Sequence, residues 1–249
     1  MSSVGVFDSG LGSLSIVNAI RQISKCDIVY YADTKSHPYG TKSPQDLCDI
    51  TRRTIQGIRE LFAPSIVVVG SNTPTLLCDI EDDDIVGVWP PIMEASRLSC
   101  DDTVTVLATS VVVQHDYIER YAKSLNLSVH IKKVNASRLV HLVESGTFLN
   151  DHDTTCKTIE ETLHDIQGVC TLSSTHLPFL QSMMEEVRPD ITFVDPASMV
   201  ARRVANKIKN AGKGRLSIYT SGGHDITPHL RQLGITEDVN FLKPFYTHD

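Results

Sequence analysis

Short runs of apolar, largely β-branched residues alternate along the chain with longer stretches whose apolar positions recur at helical spacing. Uniformly apolar runs mark strands covered on both faces, and three-and-four spacing marks helices with one buried stripe. The pattern predicts strands over Ser3–Phe7, Ile28–Tyr31, Ser65–Val69 and Val86–Val88. Between and after them it predicts helices over Leu14–Ser24, Ser43–Leu61, from Thr75 to Ile80, and Pro91–Leu98. Ser43-Pro44 gives the longest of these an N-cap and a first-turn proline.

The pattern then restarts. Strands are predicted over Thr103–Ala108, Val129–Lys133, Val169–Leu172, Thr192–Val194 and Ser217–Tyr219. Helices are predicted over Val112–Ser124, Ser137–Ser145, Asp153–Leu163, Leu177–Glu186, Ala197–Asn210 and Ile226–Leu233. Strand–helix alternation implies an α/β fold of parallel sheets with helices on both faces. Ligands of such sheets bind at the carboxyl ends of the strands.

Two polar motifs sit at such ends. Ser71-Asn72-Thr73-Pro74 follows one buried strand, and Ser174-Thr175-His176, with Pro178 close behind, follows another. Each opens a helix and each is followed by a proline, so the chain reads as two pseudo-symmetric α/β halves whose strand ends face each other across a cleft.

Composition narrows the function. Of 249 residues, 41% are hydrophobic and 21% charged, which is ordinary for a soluble globular protein. A net charge of -7 argues against a nucleic-acid surface but says nothing of a locally positive pocket for a small anion. The N-terminal residues lack the basic and apolar regions of a signal peptide, and the most apolar run, Ile66–Val69, is far too short to cross a bilayer. A cytoplasmic protein without membrane contact is the expectation. The six cysteines show neither a CxxC pair nor zinc spacing, and are expected to be buried small apolar residues.

Four motifs carry candidate chemistry. In Asp8-Ser9-Gly10-Leu11-Gly12-Ser13, between a strand and a helix, small residues let the backbone turn sharply and approach a ligand. Its alternative reading, a dinucleotide fingerprint, lacks the third glycine, because position 15 is serine. Pro38-Tyr39-Gly40-Thr41 makes a turn before the capped helix. The three consecutive polar residues Ser71, Asn72 and Thr73 exceed what a plain N-cap needs, and Asn and Thr can each hydrogen-bond a carboxylate or an amine. His176 is placed either to move a proton near neutral pH or merely to hydrogen-bond in the cleft.

In order and spacing these motifs resemble those of glutamate racemases, over nearly the whole chain. The likeness extends to Val143-Glu144-Ser145-Gly146 and Tyr219-Thr220-Ser221-Gly222. The resemblance implies two α/β domains of the aspartate/glutamate racemase type with the active site between them. The N-terminal domain would span 1–96 plus 208–249, and the second 97–207. It implies an isomerase that needs no cofactor or metal and takes a small amino acid or dicarboxylate, its D-glutamate product feeding peptidoglycan. A homodimer is compatible with the size, though no face of the sequence identifies it.

By the same resemblance Asp8 and His176 would assist the two acid–base positions. Ser9, Tyr39, Gly40, Asn72, Thr73 and Thr175 would hold the substrate, with Glu144 near the cleft on the second side. Those acid–base positions hold Ser71 and Ser174, where the family carries thiols. A thiol titrates near 8.5 and can be tuned downward, whereas a hydroxyl is far too weak an acid to serve without strong activation. No other cysteine substitutes: Cys78 lies about 10 Å along a helix from Ser71, and Cys170 about 13 Å back along the strand from Ser174. Other positions depart as well, with Pro90-Pro91 for Glu-Pro, Ala136-Ser137 for Cys-Pro and Val112 for a threonine.

The function expected is therefore glutamate racemase-like: binding of glutamate or a related dicarboxylate, with acid–base interconversion of its L and D forms. The alternative is a diverged carboxylate-binding or regulatory protein. A third reading makes Ser174 a nucleophile with His176 as base, although two-residue spacing by itself guarantees no hydrogen bond.

Overall fold

The computed structural model describes residues 3–80, 82–208 and 212–246. Among them the predicted alternation is realised as β1 (Ser3–Asp8), β2 (Asp27–Ala32), β3 (Ile66–Val69), β4 (Ile85–Gly87) and β5 (Thr103–Ala108). There follow β6 (His130–Asn135), β7 (Gly168–Leu172), β8 (Ile191–Val194), β9 (Leu216–Thr220) and β10 (Val239–Phe241). All pair in parallel, as crossover helices require. The fold is α/β, with two parallel sheets.

Two units divide the chain. The first comprises Met1–Val88 and Ala197–Asp249, and the second Trp89–Pro196. The sequence expectation placed these divisions after 96 and after 207. Helix Ile92–Leu98 packs on β5 and β7, and helix Ala197–Lys207 packs along helix Leu14–Ile23 and on β4, so each goes with the sheet it covers. The expected helix Ala197–Asn210 is present to Lys207, and its positions 209 and 210 lie outside the described residues.

The first unit holds a six-stranded sheet in the order β10-β9-β2-β1-β3-β4. Both faces of its centre are covered, and β3 is buried at every residue. On one side helix Pro44–Phe62 sets Leu47, Ile55 and Ile58 against Phe7, Tyr31 and Val69. Ser43 caps that helix, its hydroxyl accepting the Asp46 N–H at 3.1 Å. The second unit holds the sheet β6-β5-β7-β8. Its core joins Leu107, Cys170 and Leu172 of the strands to Leu139, Val143, Ile159 and Met184 of the helices.

Several elements differ from the pattern's prediction. The helix expected from Thr75 begins at Asn72, with Pro74 third in line, where its missing N–H costs no internal bond. The helix expected over Val112–Ser124 is two, Ser110–Gln114 and Tyr117–Ser124. Three consecutive valines are stiff at χ1 and weak helix formers, and the freed His115 carbonyl accepts Lys133 Nζ at 2.6 Å. Leu177–Leu180 is a tighter 3-10 turn before helix Gln181–Val187.

Two cysteines also depart from expectation. Cys48 and Cys78 form a disulfide with Cα atoms 5.3 Å apart, joining helix Pro44–Phe62 to the residue that ends helix Asn72–Leu77. Of the other four, Cys26 and Cys170 are buried as expected, Cys156 is half-buried and Cys100 exposed.

Candidate active site

In the first unit the parallel register brings three polar chain segments to one sheet end. Phe7 pairs with Val69 and Asp8 with Ala32, so Asp8, Asp33 and Gly70-Ser71 leave neighbouring strands together. Backbone bonds continue the ladder past the strand ends: Asp33 N–H donates to the Asp8 carbonyl at 2.7 Å, and Gly70 N–H to the Phe7 carbonyl at 2.8 Å. Gly70 is required there, because a Cβ would lie 2.3 Å from the Ser13 Cβ and 2.9 Å from the Phe7 carbonyl oxygen. Ser13, ahead of helix Leu14–Ile23, and the end of β1 together leave room for no side chain at 70.

Asp8 and Ser9 are buried, and the Asp8 carboxylate accepts the Ser9 N–H at 2.7 Å. Behind them the Tyr30 hydroxyl donates to the Gly10 carbonyl, tying the glycine turn to β2. Ser71 is half-buried in extended backbone, with no side-chain cap bond from it to the helix it precedes. Asn72 is held by its amide, which donates to the Val88 carbonyl at 3.0 Å. Thr75 secures the same turn, donating to the Ser71 carbonyl at 2.8 Å and accepting the Val88 N–H at 3.2 Å. Asn72 and Thr73 are both buried.

Tyr39 is also buried here and donates to Asp33 Oδ2 at 3.2 Å, while Gly40 beside it is half-buried. Burial, and then the carboxylates of Asp33 and Asp8, push the Tyr39 phenol well above its usual range, so it serves as a hydrogen-bonding hydroxyl. Of the residues predicted for this unit, Asp8, Ser9, Tyr39, Gly40, Ser71, Asn72 and Thr73 all lie at or next to the carboxyl ends of β1, β2 and β3.

In the second unit Ser174, Thr175 and His176 follow β7, whose extension is tied to β5 by Ser173 N–H donating to the Leu107 carbonyl at 2.9 Å. Ser174 Oγ lies 3.3 Å from His176 Nδ1. His176 Nε2 in turn hydrogen-bonds Glu144 Oε1. Glu144 is the last residue of helix Ser137–Glu144, and all three side chains are buried. In the tautomer with its proton on Nε2, toward Glu144, the imidazole turns its Nδ1 lone pair to the serine hydroxyl.

No family model matches the chain. A glutamate racemase of Proteus mirabilis is 30% identical over 231 residues, spanning 86% of this chain and 78% of that one. Another, from Desulforudis audaxviator, is 32% identical over 212 residues, spanning 80% and 77%. The chain belongs to the glutamate racemase family. The fold agrees: a glutamate racemase isoform of Bacillus anthracis matches with a TM-score of 0.83 at 20% identity over 99% of both chains. The Escherichia coli glutamate racemase, solved with L-glutamate and the activator UDP-MurNAc-Ala, matches with a TM-score of 0.80 at 24% identity, covering 97% of this chain and 98% of that one.

In the first unit Ser221, from the Tyr219-Thr220-Ser221-Gly222 motif, meets two residues that sequence reasoning did not single out, Asp33 and Tyr246. Asp33 is wholly buried; Ser221 donates to its Oδ1 at 3.0 Å, and the Tyr246 hydroxyl lies 3.0 Å from both carboxylate oxygens. The one available signal was that Asp33 is a carboxylate at the carboxyl end of a buried strand, as Asp8 is.

Proposed function

We propose that the protein binds glutamate or a closely related dicarboxylic amino acid and exchanges its Cα proton by cofactor-independent acid–base transfer, as a slow member of the glutamate racemase family. The observation that carries this reading is the pair of polar clusters, buried and hydrogen-bonded, in a chain whose relatives over most of its length are glutamate racemases.

On this reading the two clusters divide the work. Ser9, Tyr39, Gly40, Asn72, Thr73 and Thr175 hold the carboxylates and the ammonium group. Ser71 and Ser174 stand where the family carries its thiols, and each must both lose and return a proton. His176, oriented by Glu144, relays the proton of Ser174, and Asp8 assists Ser71 from the neighbouring strand end. A hydroxyl yields its proton far less readily than a thiol, so turnover is slow. Cytoplasmic residence belongs to the same reading; among the described residues no helix is long and apolar enough to cross a membrane.

The test is proton NMR of L- and D-glutamate with the protein in D₂O. The expected result is slow loss of the α-proton signal, accelerated by about 10²-fold or more in a Ser71→Cys/Ser174→Cys variant. A signal that persists in both proteins overturns the reading.

A further inference from the structure

We infer that Ser174 is a nucleophile for acyl transfer, with His176 as its base and Glu144 orienting the imidazole. The row of Ser174, His176 and Glu144 is suited to cleaving carboxylic esters or thioesters.

A hydroxyl and a thiol differ in what they do well. A serine hydroxyl is a poor base for a Cα proton, so turnover of that kind is slow. Attack on an acyl carbon requires only that the hydroxyl proton leave during the transition state, to a base already in contact. That contact is present: Ser174 Oγ to His176 Nδ1 is 3.3 Å, within the looser range of unliganded sites. The third member is present too, since Glu144 Oε1 holds Nε2. The ring nitrogens are exchanged relative to the serine-protease arrangement, but the roles are the same: nucleophile, base, orienting carboxylate.

The environment fits. Ser174 and His176 are each 6% exposed and Glu144 8%, so water competes weakly for the hydrogen bonds. The adjacent Ser173 shows the contrast: its hydroxyl is bonded to Thr171 Oγ1 at 2.9 Å. All three members lie in the second unit.

The step balances without a cofactor. Ser174 Oγ attacks the acyl carbon as its proton passes to His176 Nδ1. The tetrahedral intermediate collapses, the acyl C–O or C–S bond breaks, and the leaving alcohol or thiol takes the proton from His176. Water then attacks the acyl-serine ester, again giving a proton to Nδ1. The carboxylic acid departs and Ser174 recovers its proton.

The test uses the full-length protein and a fluorophosphonate probe, whose fluoride the serine displaces. The expected result is a single adduct, located on Ser174 by tandem mass spectrometry, with hydrolysis of p-nitrophenyl acetate showing a stoichiometric burst. Ser173→Ala keeps the adduct and Ser174→Ala loses it. His176→Gln slows labelling about 10²-fold or more and flattens its rise with pH. Absence of an adduct on Ser174 in protein with a cooperative melt overturns the inference. An adduct forming at an unchanged rate in His176→Gln does the same. Cα–H exchange plays no part in these readouts, so failure here and failure of the racemase reading are told apart.

Discussion

The Tyr246 hydroxyl lies 3.0 Å from both carboxylate oxygens of Asp33, a residue 213 positions earlier in the chain. Tyr39 and Ser221 donate to the same carboxylate, at 3.2 and 3.0 Å. A carboxylate buried this completely is tolerated only when donors saturate it. Tyr246→Phe removes one donor and leaves the ring's packing. It is expected to lower stability by about 1.5–3 kcal/mol, the range for hydrogen bonds to charged groups. Urea denaturation monitored by circular dichroism measures this, and a loss below about 0.5 kcal/mol would show that the bond contributes nothing.

Asp33 also makes stability depend on pH. Burial pushes its carboxyl above the ordinary range, against the downward pull of its hydroxyl donors. A carboxyl raised on folding binds its proton more tightly in the native state. Its contribution is therefore complete below the unfolded value of about 3.9 and is lost as pH rises through the native value. Asp33→Asn has no such titration. The stability of the wild type relative to Asp33→Asn should fall as pH rises from about 4. Thermal melts of both proteins over a pH series decide it, and a difference that grows with pH would contradict the assignment.

The cysteines predict a thiol count. Four of the six are free, and Cys48 and Cys78 are bonded. Denatured without reductant, the protein should show four reactive thiols, and six after reduction. The bond spans 30 positions, and closing a loop of that length in the unfolded chain is worth about 3–4 kcal/mol on the chain-entropy model. Reduction should accordingly lower the melting temperature. Six thiols before reduction would remove the cross-link from the account.

Removing the two partners of the His176 row should have unequal costs. His176→Ala takes the imidazole from a buried carboxylate and is expected to destabilise by about 3–5 kcal/mol. Ser174→Ala removes one neutral hydrogen bond, worth about 0.5–1.5 kcal/mol. Adding Glu144→Gln to His176→Ala should recover part of the larger loss, because the stranded charge is gone. Equal costs in chemical denaturation would mean that Glu144 and His176 are not coupled.

Much of the site was legible because polar residues directly after buried apolar runs have few structural reasons to be there. Ser71-Asn72-Thr73, Asp8-Ser9 and Ser174-Thr175-His176 all stood out on that ground, and all lie at strand carboxyl ends. Asp33 follows β2 in the same way but was masked by the turn residues after it. Strand β10 was missed because three residues, Val239–Phe241, are too few to show a period. The break at His115 was missed because helical spacing continues across it, and what ends the first helix includes a lysine from β6.

The sequence by itself determined the class of fold, the order of strands and helices, and the polar groups at the strand ends. These depend on burial and local stereochemistry, which apolar spacing, prolines and capping residues express within a few positions. Only the tertiary structure decided which of those groups touch. Glu144 meets His176 across 32 positions, Cys48 meets Cys78 across 30, and Tyr246 meets Asp33 across 213. Each is a contact between side chains of different elements, set by sheet order and helix packing, and no local pattern encodes it. Even the two-residue step from Ser174 to His176 became a hydrogen bond only because the turn after β7 directs both side chains to one point.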